Sequence, residues 1–367
     1  MKICSKPKIL CVYDPSFGSV NYPYAFACAP LAIKKVTDDV QYLDIKEITV
    51  ELFQAAIEKN NPDIVFCFLQ NLVDQKKMSS ILDIYHPKPI INWSLEDPNG
   101  VVTGGQSYTM LDASENFDAW FCNDSKMVPF WKTRARFMPP GFDDDVFYDK
   151  NIDRIYDVSY IGNIGPKATA EMYWPYFEEM SKYRQKALMC TERPLGIPLL
   201  PGPIEKILRS RRNKDFFQGL NIWRNVWRNP RNEDEKSFFI NQSKIHVGLN
   251  RVRGRWESSL LSLIPEYPLD KHNMFYQLKG RLFHAVGTGA LALNEYCPEL
   301  EDMFDINSEI AVFEYGDVEG FREKLQWYSN NDGARQKVAL AGRLRGLKQH
   351  TWHQRINQII DYIRNEL

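Results

Sequence analysis

Short apolar runs alternating with helical stretches constrain this chain more than any other feature. Residues 8–13, 40–45, 63–69, 89–95 and 117–122 read as strands, and Tyr24–Val36 and Val50–Lys59 carry helical periodicity between them. Runs that are apolar throughout suit strands covered on both faces. Strands alternating with helices predict a parallel sheet with right-handed crossovers. The stretch Met138-Pro139-Pro140-Gly141-Phe142-Asp143-Asp144-Asp145 breaks the pattern with two prolines, a glycine and three acids, and reads as a linker. The alternation then restarts. Strands are expected at Tyr156–Asn163, Lys244–Leu249, Ala290–Leu293 and Glu309–Phe313. Helices are expected at Pro166–Tyr183, with Pro175 inside, and at Asp317–Tyr328, Asn331–Leu347 and Trp352–Ile363. The expected fold class is α/β, with two Rossmann-like doubly wound domains facing across a cleft. Their bounds are 1–145 and 146–350, followed by a C-terminal helix over 351–367 that packs back toward the first domain. A length of 367 residues suits two such cores, and the cleft is the default ligand site.

Leu278–Leu293 joins a helix to a strand within one segment. Leu278, Leu282, Phe283 and Val286 share a helical face, Gly287 or Gly289 can close the helix in a left-handed conformation, and Ala290–Leu293 continues as a buried strand. Lys279 and Arg281 sit close to one another in the helix, away from much of that apolar face, where the plainer reading is a solvated basic edge. In open α/β sheets ligands bind where the strands end, so this pair suits a phosphate group. The turn at Gly162-Asn163 brings backbone N–H groups to the same kind of place. The stretch Arg251–Asn273, with Arg251, Arg253, Arg255 and Trp256, is long for a loop and reads as a lid or acceptor loop.

Composition excludes several classes. Lys and Arg total 46 against 47 acids, which gives no global electrostatic case for nucleic acid. No segment has the apolar length to span a bilayer. The seven cysteines are scattered without a C-x-x-C pair, as expected of buried free thiols in a reducing cytoplasm. Residues 204–232 interleave Lys206, Arg209, Arg211, Arg212, Lys214, Arg224, Arg228 and Arg231 with Phe216, Phe217, Trp223 and Trp227. Trp223 and Trp227 lie four apart and would share a helix face. This region leaves room for a peripheral contact at the inner face of the membrane, beside the plainer reading of a solvated helix with a Trp anchor.

Several pieces, in order, resemble the CgeB-like, group 1 glycosyltransferases. They are Asn92-Trp93-Ser94-Leu95-Glu96-Asp97-Pro98, Pro139-Pro140-Gly141-Phe142-Asp143, Asp157–Asn163, Lys244–Asn250, Gly280–Gly289 and His350-Thr351-Trp352-His353-Gln354-Arg355. The resemblance implies a GT-B fold with a nucleotide-sugar donor on the C-terminal domain and a hydroxyl acceptor facing the N-terminal one. It implies no tightly bound cofactor and no catalytic metal. This agrees with the absence of a D-x-D flanked by strand-like runs, since Asp143-Asp144-Asp145 read as turn residues. The family's R-x-F-E pattern becomes Arg281-Leu282-Phe283-His284 here. Its Glu commonly binds the donor ribose, so His284, or Glu295 past the next strand, becomes the candidate for that role.

The expected donor-binding set is therefore Gly162, Asn163, Arg251, Arg253, Lys279, Arg281, His284 and Glu295. The candidate catalytic carboxylates are Asp14, which ends the first strand, and Glu96 and Asp97, which end the fourth. A carboxylate is needed where a proton must leave the acceptor hydroxyl. His246 and His350 read as packed or capping residues. The leading expectation is a sugar transferase. A sugar-nucleotide epimerase or hydrolase on the same fold, and a non-catalytic sugar-nucleotide or polysaccharide binder, are the alternatives.

Overall fold

A computed structural model of the chain describes residues 6–15, 28–87, 89–95, 110–162, 167–183, 186–190, 226–227, 230, 232–252 and 275–367. The chain folds as two compact units. The first is Met1–Asp143, Arg253–Gly280 and Lys348–Leu367; the second is Asp144–Val252 and Arg281–Leu347. The break after Asp143 falls within the proline-rich linker. Segment 253–280, assigned by sequence to the second domain, goes with the first unit.

The first unit holds β1 (Ile9–Tyr13), β2 (Val40–Asp44), β3 (Ile64–Phe68), β4 (Ile90–Ser94), β5 (Ala119–Cys122) and β6 (Arg134–Phe137). Their order is β2-β1-β3-β4-β5-β6, and every pairing is parallel. The order reverses direction between β1 and β3, which makes that the switch point of the sheet. Strand β6 escaped the sequence reading because an edge strand needs no apolar run, and Arg134-Ala135-Arg136-Phe137 alternates exposed and half-buried residues. The first helical stretch is described from Cys28, as α1 (Cys28–Leu31) and a 3-10 turn over Ala32–Lys35. Helix α2 (Val50–Asn60) starts at Thr49, whose hydroxyl accepts from the Leu52 N–H. It ends at Asn61 in the left-handed region, φ 44°, just before Pro62. Helix α3 (Leu72–Leu82) was not read from sequence, because its buried side includes Asp74, Gln75 and Ser79. Short α4 (Met110–Ser114) precedes β5.

The second unit holds β7 (Tyr156–Ile161), β8 (Ala187–Cys190), β9 (Val226–Trp227), β10 (Ser243–Gly248), β11 (Leu291–Glu295) and β12 (Ala311–Phe313). They run β12-β11-β10-β7-β8-β9, again all parallel. Renumbered within the unit, this is the 3-2-1-4-5-6 order of dinucleotide-binding sheets, with its switch point between β7 and β10. Among the described residues it also holds helices α5 (Lys167–Ser181), α6 (Glu233–Asn241), α7 (Gly280–Thr288), α8 (Glu299–Met303), α9 (Val318–Asn330) and α10 (Asp332–Gln349). The core joins Val158, Tyr160, Phe177, Ile245, Val247, Leu293 and Phe321. Trp227 lies in a strand beside Cys190 rather than on the expected helix, since pairing at a free sheet edge overrides a local four-residue spacing. Helix α7 starts at Gly280, so Leu278 and Lys279 precede it. It closes at Gly289, φ 70°, while Gly287 stays helical.

Two histidines sit inside the second unit. His284 stacks on Phe147 with centroids 4.0 Å apart and planes 9° from parallel. His246, in β10, exchanges a 2.8 Å hydrogen bond with the Ser159 hydroxyl. Burial, reinforced by the Lys236 charge, holds His284 well below the ordinary imidazole range, and burial pushes His246 down to about 3.

The chain then returns to the first unit as α11 (Trp352–Glu366), capped by the Thr351 hydroxyl. Trp352, Ile356, Ile359, Ile360 and Ile363 fill the core against Phe66, Phe68, Trp93 and Phe121. Trp93 meets Trp352 edge-on at 5.4 Å. The P-P-G-F-D linker and the H-T-W stretch meet here. Phe142 N–H donates to the His350 carbonyl (3.2 Å) and Trp352 N–H to the Phe142 carbonyl (3.0 Å). Gly141 passes so close that a Cβ would stand 2.8 Å from Trp352 N.

Two stability outcomes follow from this packing. Gly141→Ala has only backbone to displace, so denaturant unfolding is expected to show a loss of roughly 1–3 kcal/mol. Wild-type stability in the variant would mean that the strap relaxes freely. The second outcome concerns acid. The unfolded chain protonates His246 and His284 near pH 6.5 whereas the folded one does not, so stability falls as pH drops below that value. Each histidine adds up to about 1.4 kcal/mol per pH unit. His284→Phe keeps the ring stack and removes one contribution, so between pH 7.5 and 5 it is expected to lose about 2 kcal/mol less than wild type. Equal losses would show that His284 titrates in the folded state.

Candidate donor site at the switch point of the second unit

Strands β7 and β10 flank the point where the strand order reverses, the place where open parallel sheets bind ligands at the carboxyl ends of their strands. Tyr160 and Gly162 come from the end of β7, Leu249, Asn250 and Arg251 from the end of β10, and Arg281 from the first turn of α7. Arg281 Nη1 donates to the Tyr160 hydroxyl at 2.7 Å and to the Leu249 carbonyl at 3.3 Å. Its guanidinium lies 4.8 Å over the Tyr160 ring. A Cβ on Gly162 would stand 2.7 Å from Arg281 Nη2, so the glycine is what lets the guanidinium lie against the turn after β7. Among the described residues no carboxylate pairs with Arg281. Burial raises the Tyr160 phenol against the opposing pull of Arg281, so it stays protonated.

Arg251 has a different environment. It is buried, it pairs with the fully buried Glu295 at the end of β11, and its guanidinium lies 5.0 Å over the Tyr315 ring. Glu295 accepts further from the Tyr173 hydroxyl (2.7 Å), the Asn250 N–H (2.7 Å) and the Arg251 N–H (3.2 Å). Four donors thus fill this carboxylate, and the cluster pins the chain as it leaves β10. Burial first, and Glu295 next, push the Tyr173 phenol well up, so it remains a donor.

His284 follows Arg281 by three residues but lies in the core on Phe147, its Nε2 4.0 Å from Glu233 Oε2. Neither ring nitrogen has a hydrogen-bond partner among the described residues. Burial raises the Glu233 carboxyl, opposed by Lys236. Lys279 is half-buried in the first unit and donates to Gln277. Asn163, Arg253, Glu96 and Asp97, the remainder of the loop 253–273, and nearly all of 204–232 lie outside the described residues.

In the first unit Asp14 follows β1 with its side chain buried and paired to Lys46 at 3.2 Å. Asp143, Asp144 and Asp145 are mutually close enough to hold a cation, but Asp143 is paired with Lys35 at 3.0 Å, and consecutive acids alone do not make a site. His350 is buried and bonds the Arg355 guanidinium at 2.8 Å. Sequence reasoning missed Tyr160, Tyr173, Lys46 and Asp74. Tyr160 was within reach, since residues two apart in a strand share a face and Tyr160 precedes Gly162 by two.

Residues 204–361 match the family model described as Glycosyl transferase-like. Comparison with curated proteins gives no significant match. Among solved structures, the sucrose-phosphate synthase of Thermosynechococcus elongatus superposes with a TM-score of 0.61 at 10% identity, over 97% of this chain and 98% of the other. HepE of Anabaena, in complex with UDP and glucose, gives 0.61 at 9% identity over 98% and 100%. A glycosyltransferase from Rickettsia africae gives 0.59 at 11% identity over 98% of each. At these identities the likeness is one of fold. The chain has the GT-B fold of two Rossmann-like units, and its residues 204–361 are similar to the glycosyl transferase-like family.

Proposed function

We propose that this chain transfers a sugar from a nucleoside-diphosphate sugar to a hydroxyl acceptor, with the donor diphosphate held at the β7/β10 switch point. One observation carries the assignment. Arg281, with no acidic partner among the described residues, is fixed by Tyr160 and Leu249 beside Gly162 and the α7 N-terminus. The family match and the shared fold support sugar transfer. UDP in the HepE structures makes UDP the first nucleotide to test.

The acceptor oxygen bonds to the anomeric carbon as the bond from that carbon to the diphosphate oxygen breaks. The electron pair leaves on the diphosphate. A cation held in place before the reaction stabilises that growing charge without reorganising, and the positive end of the α7 dipole adds to it. Arg251 and Glu295 neutralise each other and brace the loop after β10. His284 packs the back of α7. In the first unit Asp14 takes the proton from the acceptor hydroxyl. Charge neutralisation by Arg281 leaves no step that requires a divalent metal.

Arg281→Ala is expected to weaken UDP binding by about 1.5–3 kcal/mol, roughly 10- to 150-fold, with an unchanged melting temperature. Calorimetry showing full affinity in a folded variant would remove Arg281 from the site. Gly162→Ala is expected to act in the same direction, because its Cβ pushes the guanidinium away. UDP release from UDP-glucose is expected to persist in EDTA. Loss of turnover restored by magnesium or manganese would refute the metal-free reading.

A further inference from the structure

The first unit has a switch point of its own between β1 and β3, and three charged side chains from three different connections meet there. Asp14 is the first residue after β1, Lys46 lies in the turn after β2, and Asp74 is in the first turn of α3, the helix that follows β3. Both carboxylates are almost fully buried, at 4% and 2% side-chain exposure, while Lys46 is 48% exposed. The Lys46 ammonium bridges them, 3.2 Å from Asp14 Oδ2 and 2.5 Å from Asp74 Oδ1.

The bridge is itself held in place. Asp74 Oδ2 accepts from Asn71 Nδ2 at 2.6 Å, and the Asp74 N–H donates to Asn71 Oδ1 at 2.9 Å, which fixes the carboxylate. Lys77, one turn along the same face of α3, donates to the carbonyls of Ile45 (2.7 Å) and Lys46 (2.8 Å). The Lys46 N–H donates to Asp44 Oδ1 at 2.8 Å. Helix α3 thus grips the 44–46 turn by its backbone through Lys77 and by its side chain through Asp74. An exposed lysine on a free turn would sample many rotamers; this one is held at Asp14.

We infer that Lys46 and Asp74 are positioning residues that keep Asp14 ionised and oriented to accept the proton of the acceptor hydroxyl. The inference rests on the reading of Asp14 as the base. Two buried carboxylates cannot both stay charged without a cation near them, and an ammonium within about 4–6 Å lowers a carboxyl pKa by about 1–3 units. Among the described residues, the Lys46 ammonium touches both carboxylates, and Asp44 and Lys77 hold the turn that carries it. Asp74 holds that cation in place and is not itself required to touch substrate.

The test follows the Asp14 carboxyl carbon by NMR in the full-length chain, together with the pH profile of UDP release from UDP-glucose. Lys46→Met is expected to raise the Asp14 titration by about 1–3 pH units and to move the acid limb of turnover up by the same amount, with UDP affinity unchanged. Asp74→Asn is expected to do part of this, and Lys46→Arg to restore most of it. Asp14→Asn is expected to lower turnover at least about a hundredfold. A Lys46→Met protein that melts earlier but leaves the Asp14 titration and the acid limb in place would reduce the bridge to a structural tie and overturn the inference. Undiminished turnover in Asp14→Asn would instead remove Asp14 as base, whatever Lys46 does to its titration.

Discussion

Both sheets are parallel throughout, and parallel strands cannot be joined by tight turns. Each strand must hand the chain to a crossover that returns it to the opposite edge. All strands of a unit therefore end at the same edge, and residues far apart in sequence gather there. Where the strand order reverses, the crossovers part and leave that edge open. In the second unit the opening receives Gly162, Leu249 and Arg281; in the first it receives Asp14, Lys46 and Asp74. The proposed chemistry is assigned to these two places because the crossovers part there.

Arg251 and Arg281 show how much the surroundings decide. Both are arginines near the carboxyl edge of one sheet. Arg251 meets a buried carboxylate that already accepts from a tyrosine and two backbone amides, so its charge is spent inside the protein. Removing one member of such a pair would strand the other in a dry place, which makes the cluster a brace. Among the described residues Arg281 meets only neutral acceptors, a phenol and a carbonyl. In the proposed reading that charge serves the donor diphosphate, from a position that Tyr160 and Leu249 fix beforehand.

The H-T-W stretch and the proline-rich linker illustrate a different link between sequence and fold. Separated by some two hundred residues in the chain, they form one backbone crossing in which Gly141 lies against residues 350–352. That crossing starts α11, whose isoleucines cover one face of the first sheet. The first unit thus takes part of its core from Trp352–Ile363, which the chain reaches only after passing through the second unit.

Much of the architecture was legible in local order. Continuous apolar runs, helical periodicity, the breaker around Gly141 and the closing glycine at Gly289 each leave a local mark, because strand burial, helix spacing and left-handed closure are properties of a few neighbouring residues. Edge strand β6 and helix α3 left no such mark, since one is half polar and the other buries polar side chains. The site was only partly legible. Arg281, as a cation beside a helix-to-strand loop, and Asp14, as an acid at a strand end, were legible as candidates. That Arg251 and Glu295 neutralise each other, that His284 lies in the core on Phe147, and that Lys46 and Asp74 meet Asp14 were decided by the tertiary structure alone. These facts depend on which strand lies beside which, and strand order is not written in any local stretch of sequence.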